Sequence, residues 1–251
     1  MLIFLSVIAF NYIDSDNKTE KRKNAEAKVA KIPEVQEYGG TKLEKVGDKV
    51  RQKDWGTFTL LETKSINESF ELAPMVITIN DIRRIQLSSL TDEVKEELKS
   101  YTGLSFEEAY SIYYKENLSM EEIDQQTVLS KTDIGEEVSY LEITYSVENK
   151  DSKELQFFSM EQVTFNDDLT YNVPSKNFIH SGDTFMGTKK VSRSDYQPGE
   201  TRKGTIGLLV DPDEKFKGLD SFSFTTDDIA DGESHELLVD GTSFEIPLYG
   251  K

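Results

Sequence analysis

Val138-Ser-Tyr-Leu-Glu-Ile-Thr-Tyr-Ser-Val-Glu-Asn-Lys150 is the stretch whose reading decides the fold. Leu141, Ile143, Tyr145 and Val147 alternate with Glu142, Thr144, Ser146 and Glu148. A period of two describes a strand with one face buried and the other wet. Further along comes Gln197-Pro-Gly-Glu-Thr-Arg-Lys-Gly-Thr-Ile-Gly-Leu-Leu-Val210. Pro198 fixes φ and Gly199 permits a positive φ, the pattern of a type II turn feeding a second strand. Together the two phrases indicate a β-sandwich, and neither presents a nucleophile or a base.

Working outward, strand-like segments continue toward both ends. On the C-terminal side they fall at 155–165, 169–173, 187–191, 204–210, 219–224, 236–239 and 243–248, with Gly, Pro, Asp or Asn in the intervening turns. Asp240-Gly241 between two apolar runs signals a hairpin. On the N-terminal side strands are expected at 49–51, 56–63 and 73–85, where Val76, Ile77, Thr78 and Ile79 favour a pleated backbone. Trp55 reads as packing against the edge of the core. No βαβ alternation is present, which argues against a parallel sheet.

Between residues 88 and 123 the pattern becomes helical. Thr91 caps a helix over 92–101 that Gly103 ends, Ser105-Phe-Glu-Glu reads as a capping box, and Ser119-Met-Glu-Glu as a third start. Phe106, Ala109, Tyr110 and Tyr113 recur at helical spacing. The aromatic set Tyr101, Phe106, Tyr110, Tyr113 and Tyr114 reads first as the face that docks this insertion onto the sandwich. It is also the first choice for a partner surface, because insertions are where related folds diverge in function.

The chain divides into an apolar segment (1–13), a charged linker or stalk (14–45) with Gly39-Gly40 as a break, and a body (46–251) that carries the insertion. Three readings fit the apolar segment: a signal peptide, the tail of a longer signal anchor, or a buried strand. The net charge is −18, and it is uneven. Residues 14–54 hold eleven Lys/Arg against nine Asp/Glu, and the remainder is strongly acidic. Such a body repels phosphate backbones, so nucleic-acid binding is not expected. The absence of cysteine excludes disulfides, thiolate metal sites and a thiol nucleophile.

No catalytic, cofactor-binding or metal-binding residue is assigned. His180 and His235 lack ligand spacing, and no nucleophile elbow, P-loop or dinucleotide fingerprint is present. Asp211-Pro-Asp-Glu214 and Asp227-Asp-Ile-Ala-Asp-Gly-Glu233 have oxygen ligands of the kind calcium takes, and read first as solvated loops.

The phrases 140–150, Phe157-Phe-Ser and 196–210 resemble the immunoglobulin-like surface and lipoprotein domains of unknown function from Gram-positive bacteria. Those domains are distantly similar to the mycobacterial immunoprotective extracellular antigen. The resemblance covers about 135–250 and implies a mainly β, immunoglobulin-like antiparallel sandwich, extracytoplasmic and membrane-tethered, without catalytic residues or cofactor. This chain departs from the family in lacking a lipid-accepting Cys and in carrying the insertion. The expected function is a non-enzymatic binding module for a protein or cell-wall component, touching membrane only through its N-terminal segment. A cell-wall glycan-acting enzyme using acidic residues and a calcium-stabilised adhesin are the alternatives.

Overall fold

The computed structural model describes residues 31–179, 194–210 and 218–248. The apolar segment, the strand expected at 187–191, His180 and the acidic loop 211–214 lie outside the described residues. The described part is mainly β, with mostly antiparallel strands and few helices.

The largest sheet has six strands in the order β1 (Glu34–Val35), β2 (Lys49–Gln52), β3 (Gly56–Leu72), β4 (Met75–Ser88), β5 (Glu137–Asn149) and β10 (Thr201–Val210). Strands β2 to β5 and β10 pair antiparallel, while β1 and β2 form one parallel pair. β3 runs well past the end expected at residue 63, and a turn with a cis Ala73-Pro74 bond returns it as β4.

Two four-stranded sheets complete the body. One holds β14 (Ser243–Pro247), β11 (Ser221–Thr225), β7 (Gln162–Phe165) and β8 (Leu169–Asn172) in that order. The other holds β13 (Leu237–Val239), β12 (Ile229–Asp231), β6 (Leu155–Phe157) and β9 (Ser194–Tyr196). The run 155–165 is therefore two strands in different sheets. Asp240-Gly241 does not close a hairpin either. β13 pairs with β12 and β14 pairs with β11, so the turn passes the chain between sheets. The Gly241 amide donates to Asp228 Oδ1 at 2.7 Å, and Thr226 and Thr242 bond each other across this crossing.

The period-two pattern of β5 sorts its side chains between two cores on opposite faces of one sheet. Leu141, Ile143, Tyr145 and Val147 join the larger core with Phe157, Val163, Phe165, Phe222, Phe224 and Ile246 from both smaller sheets. Val138 and Tyr140 point the other way, into a second core with Phe58, Leu60, Ile85, Leu87 and Phe178. Full burial of each such side chain is worth about 1.5–3 kcal/mol. Residues 140–143 thus have no wet face, whereas Ser139, Thr144, Ser146 and Glu148 remain partly exposed.

The second core owes its cover to residues expected in the linker. The folded body begins at Glu34, earlier than the boundary expected at residue 46. After β1, a 3-10 turn over Gly39–Lys42 lays Gly39, Gly40 and Leu43 against the sheet. A Cβ on Gly39 would stand 2.8 Å from the Phe58 ring, so the glycine there permits close approach rather than breaking the chain.

The insertion comprises α1 (Asp92–Lys99), α2 (Phe106–Tyr113) and α3 (Met120–Leu129), and extends past the expected end at residue 123. Thr91 caps α1, and full capping boxes at Ser105/Glu108 and Ser119/Glu122 open α2 and α3. Val94, Leu98 and Tyr101 reach the second core, and Trp55 stacks on Phe178 at 6.3 Å. A short α4 (Val173–Lys176) follows β8.

The Glu-Asn-Lys and Pro-Gly-Glu phrases meet in space. The buried Asn149 amide donates to the carbonyls of Lys153, Tyr196 and Gln197 at 2.9, 3.0 and 3.2 Å, and its Oδ1 accepts from the Asp151 amide. Gly199, at φ 71°, donates its amide to the Asn149 carbonyl at 3.0 Å. One buried side chain therefore fixes two turns, one on either side of the β5/β10 ladder.

Candidate functional site

Three places bring chemistry-bearing side chains together. The first is a buried polar cluster on the second-core face of the large sheet. A register shift in β4 between Ile79 and Asp81 sets Arg83 opposite Glu142 of β5. Arg83 Nε donates to Glu142 Oε1 at 2.8 Å, and its Nη2 pairs with the same carboxylate. Nη1 and Nη2 also donate to the carbonyls of Leu43 and Gly40 at 3.0 and 3.1 Å. Tyr38 donates its hydroxyl to Glu142 Oε2 and shares a hydrogen bond with Tyr140. The Glu142 side chain is 0% exposed and that of Arg83 12%.

Burial, then the charge of Glu142, holds both phenols well above the usual tyrosine range. Burial alone would lower the Arg83 guanidinium, but the charge and hydrogen bonds of Glu142 outweigh it and raise it. The bonds of this cluster run between residues of the second-core face and the segment that covers it. Its evident work is to clamp residues 38–43 onto the sheet. Glu142 was expected on a wet face; the covering segment lies far away in sequence, so the local alternation carries no signal of it.

The second place is a cleft of about 140 Å³ at the seam between the insertion and the body, lined by Tyr101, Gly103, Glu108, Tyr171, Lys176 and Leu209 among others. Lys176, buried at the end of α4, donates to the carbonyls of Thr102 (3.3 Å) and Gly103 and lies 3.9 Å from Glu108. Tyr171 donates to the Leu209 carbonyl at 3.0 Å. The lysine pins the α1–α2 corner to the body. Thr102 and Thr132 reinforce that corner, the Thr132 amide donating to Thr102 Oγ1 at 2.8 Å.

The third place is the outer face of the insertion. Phe106, Tyr110 and Tyr114 lie one helical turn apart and form a ladder. Ring centroids are 6.2 and 5.2 Å apart, with interplanar angles of 27° and 26°. All three rings are exposed, Tyr114 to 64%. The aromatic set expected to dock the insertion therefore divides: Tyr101 is buried and Tyr113 half-buried, with Ala109 and Ile123 buried beside them, while Phe106, Tyr110 and Tyr114 face outward. A small alanine lets α2 sit close to its neighbours, which turns the positions around Tyr110 outward. Of the eleven exposed large hydrophobic residues among those described, seven lie on the insertion, so this is where unpartnered apolar surface collects.

The remaining acidic loop serves its own backbone. Asp231 Oδ1 accepts from the amides of Glu233 and Ser234 at 3.0 and 2.9 Å, which holds its carboxyl below the usual range. Asp228 is bonded by Gly241, and His235 Nδ1 lies 2.9 Å from Gln156 Oε1. Among the described residues no group of three His, Cys, Asp or Glu side chains is placed to hold a metal ion.

No protein-family model and no curated protein matches the chain. Solved structures do resemble it. A functionally unknown protein from Listeria monocytogenes EGD-e aligns with a TM-score of 0.44 at 13% identity, over 77% of this chain and 88% of its own. The yjhA protein from Bacillus subtilis aligns with a TM-score of 0.39 at 13% identity, over 73% of this chain and 98% of its own. A conserved hypothetical protein from Bacillus anthracis aligns at 0.32 and 12%, over 70% and 95%. These structural neighbours come from Gram-positive bacteria and are of unknown function.

Proposed function

We propose that the chain is a non-enzymatic binding module: an immunoglobulin-like sandwich, carried outside the membrane on its N-terminal segment, that engages a protein or cell-wall component through the outer face of its helical insertion. The observation that carries this reading is the exposed ladder of Phe106, Tyr110 and Tyr114 on a helix whose small residue, Ala109, faces inward. Monomeric proteins seldom leave apolar side chains gathered in one place without a use for them. The arrangement of the buried charges supports the reading as well. Arg83, Glu142 and Tyr38 bond one another and nearby backbone, an arrangement suited to holding a segment in place. The extracytoplasmic placement rests on the apolar segment at residues 1–13 and on the resemblance of 140–150 and 196–210 to surface domains.

Incubating the full chain with purified wall glycans and envelope proteins from its native cells, with product analysis, tests this reading. Retention of one component without turnover is expected. Glycan cleavage that disappears on neutralising a single carboxylate would assign an enzyme instead.

A further inference from the structure

The chemistry of the insertion also specifies what kind of partner its aromatic face would take, an inference that rests on the binding role proposed above. Between Thr91 and Ser130 the chain carries ten carboxylates and three lysines. Two of those lysines are turned away to acidic partners beyond the helices, Lys95 to Glu136 at 2.7 Å and Lys99 to Asp133. Glu107 and Glu116 are exposed on or just after the helix that bears the ladder, and Glu121 and Asp124 are exposed on the neighbouring α3. Some of this charge has a local use: Glu107, Glu108, Glu121 and Glu122 sit in first helical turns, where they favour the helix dipole. Glu116 and Asp124 lie outside those turns and add to the same field. A face that is both apolar and strongly negative is a poor match for a second copy of itself, because two such faces repel. It is an equally poor match for an anionic lipid surface.

The geometry points to a cationic amphipathic segment of another protein as the occupant, with apolar side chains set on Phe106, Tyr110 and Tyr114 and Lys or Arg side chains flanking them. Tyr110 and Tyr114 add ring faces to which guanidinium and ammonium groups bind. The carboxylates around them speed encounter and set orientation, while the rings supply the desolvated contact.

Two measurements on the full chain test this. In the first, a synthetic Leu/Lys amphipathic helix, its Leu/Glu counterpart, and vesicles of phosphatidylglycerol or phosphatidylcholine are titrated against the protein. The Leu/Lys probe is expected to bind, more weakly as salt rises. The triple variant F106S/Y110S/Y114S is expected to weaken it by about tenfold or more. L237S/L238S, which removes the exposed pair on β13, is expected to leave it unchanged. Equal binding by the aromatic triple variant, by the Leu/Glu peptide or by phosphatidylglycerol vesicles overturns the inference. So does self-association that the triple variant abolishes.

In the second, a photoreactive phenylalanine analogue replaces Tyr114 in native cells, and cross-linked material is sequenced. A Lys/Arg-rich peptide supports the inference. A neutral or acidic peptide, or a glycan, overturns it while leaving the insertion as the contact surface. Cross-links that form from other faces and never from position 114 overturn both.

Discussion

Glu142 accepts hydrogen bonds from Arg83 and Tyr38 with no part of its side chain in contact with solvent. Glu142→Gln keeps the shape and removes the charge that Arg83 needs, so urea unfolding is expected to show a loss of about 3–5 kcal/mol, the range for breaking a buried pair. Asn149→Ala strips three carbonyls of their donor and is expected to cost about 3 kcal/mol in the same measurement. Gly199→Ala is a contrasting case. A Cβ there meets nothing within 4 Å, so only the positive φ opposes it and about 1 kcal/mol is expected. At this scale the sequence shows turn chemistry at Asn149, Pro198 and Gly199. It does not show that one asparagine closes two turns, because their residues meet only through the long β5/β10 ladder.

Among the elements, the three insertion helices were legible because their signals are local: a capping hydroxyl followed three residues later by a carboxylate. Ser105→Ala and Ser119→Ala each remove a bond to a first-turn amide and are expected to cost about 1 kcal/mol. Amide exchange should show faster opening of α2 and α3 while the strands keep their protection. Strand existence was legible from alternation, but strand partnership was not. Asp240-Gly241 has hairpin chemistry, yet the strands it joins belong to separate sheets, since β14 pairs beside β11 with Ile246 opposite Phe222 and Phe244 opposite Phe224 at the larger core. The ladder was legible as helical spacing. Which side of that helix would face outward depended on Ala109, and nothing local ranks a buried alanine above a tyrosine.

Across the whole molecule, four tyrosines, two at each core, are raised by the same cause. Tyr140, Tyr145 and Tyr196 are buried and Tyr38 is half-buried beneath its own segment, and burial is the largest cause raising each above its ordinary value near 10. In the unfolded chain they ionise at about pH 10. Below that pH both states hold the phenolic proton and these groups leave stability unchanged. Above it the unfolded state releases protons that the folded state retains, so stability falls as pH rises, by about 1.4 kcal/mol per pH unit for each such group. Phenolate absorbance is therefore expected to appear together with loss of the β signal in an alkaline titration. Smooth ionisation of all eleven tyrosines with the fold intact would contradict that burial.

Stability is assigned to the sheets and recognition to the insertion face, and one variant separates the two. F106S/Y110S/Y114S removes rings that lie outside both cores. Measured side by side with the unaltered chain, it is expected to melt at the same temperature and to lose the partner retained from native cells. A lowered melting temperature with the partner still held would contradict the account, because the ladder would then belong to the fold and the contact surface would lie elsewhere.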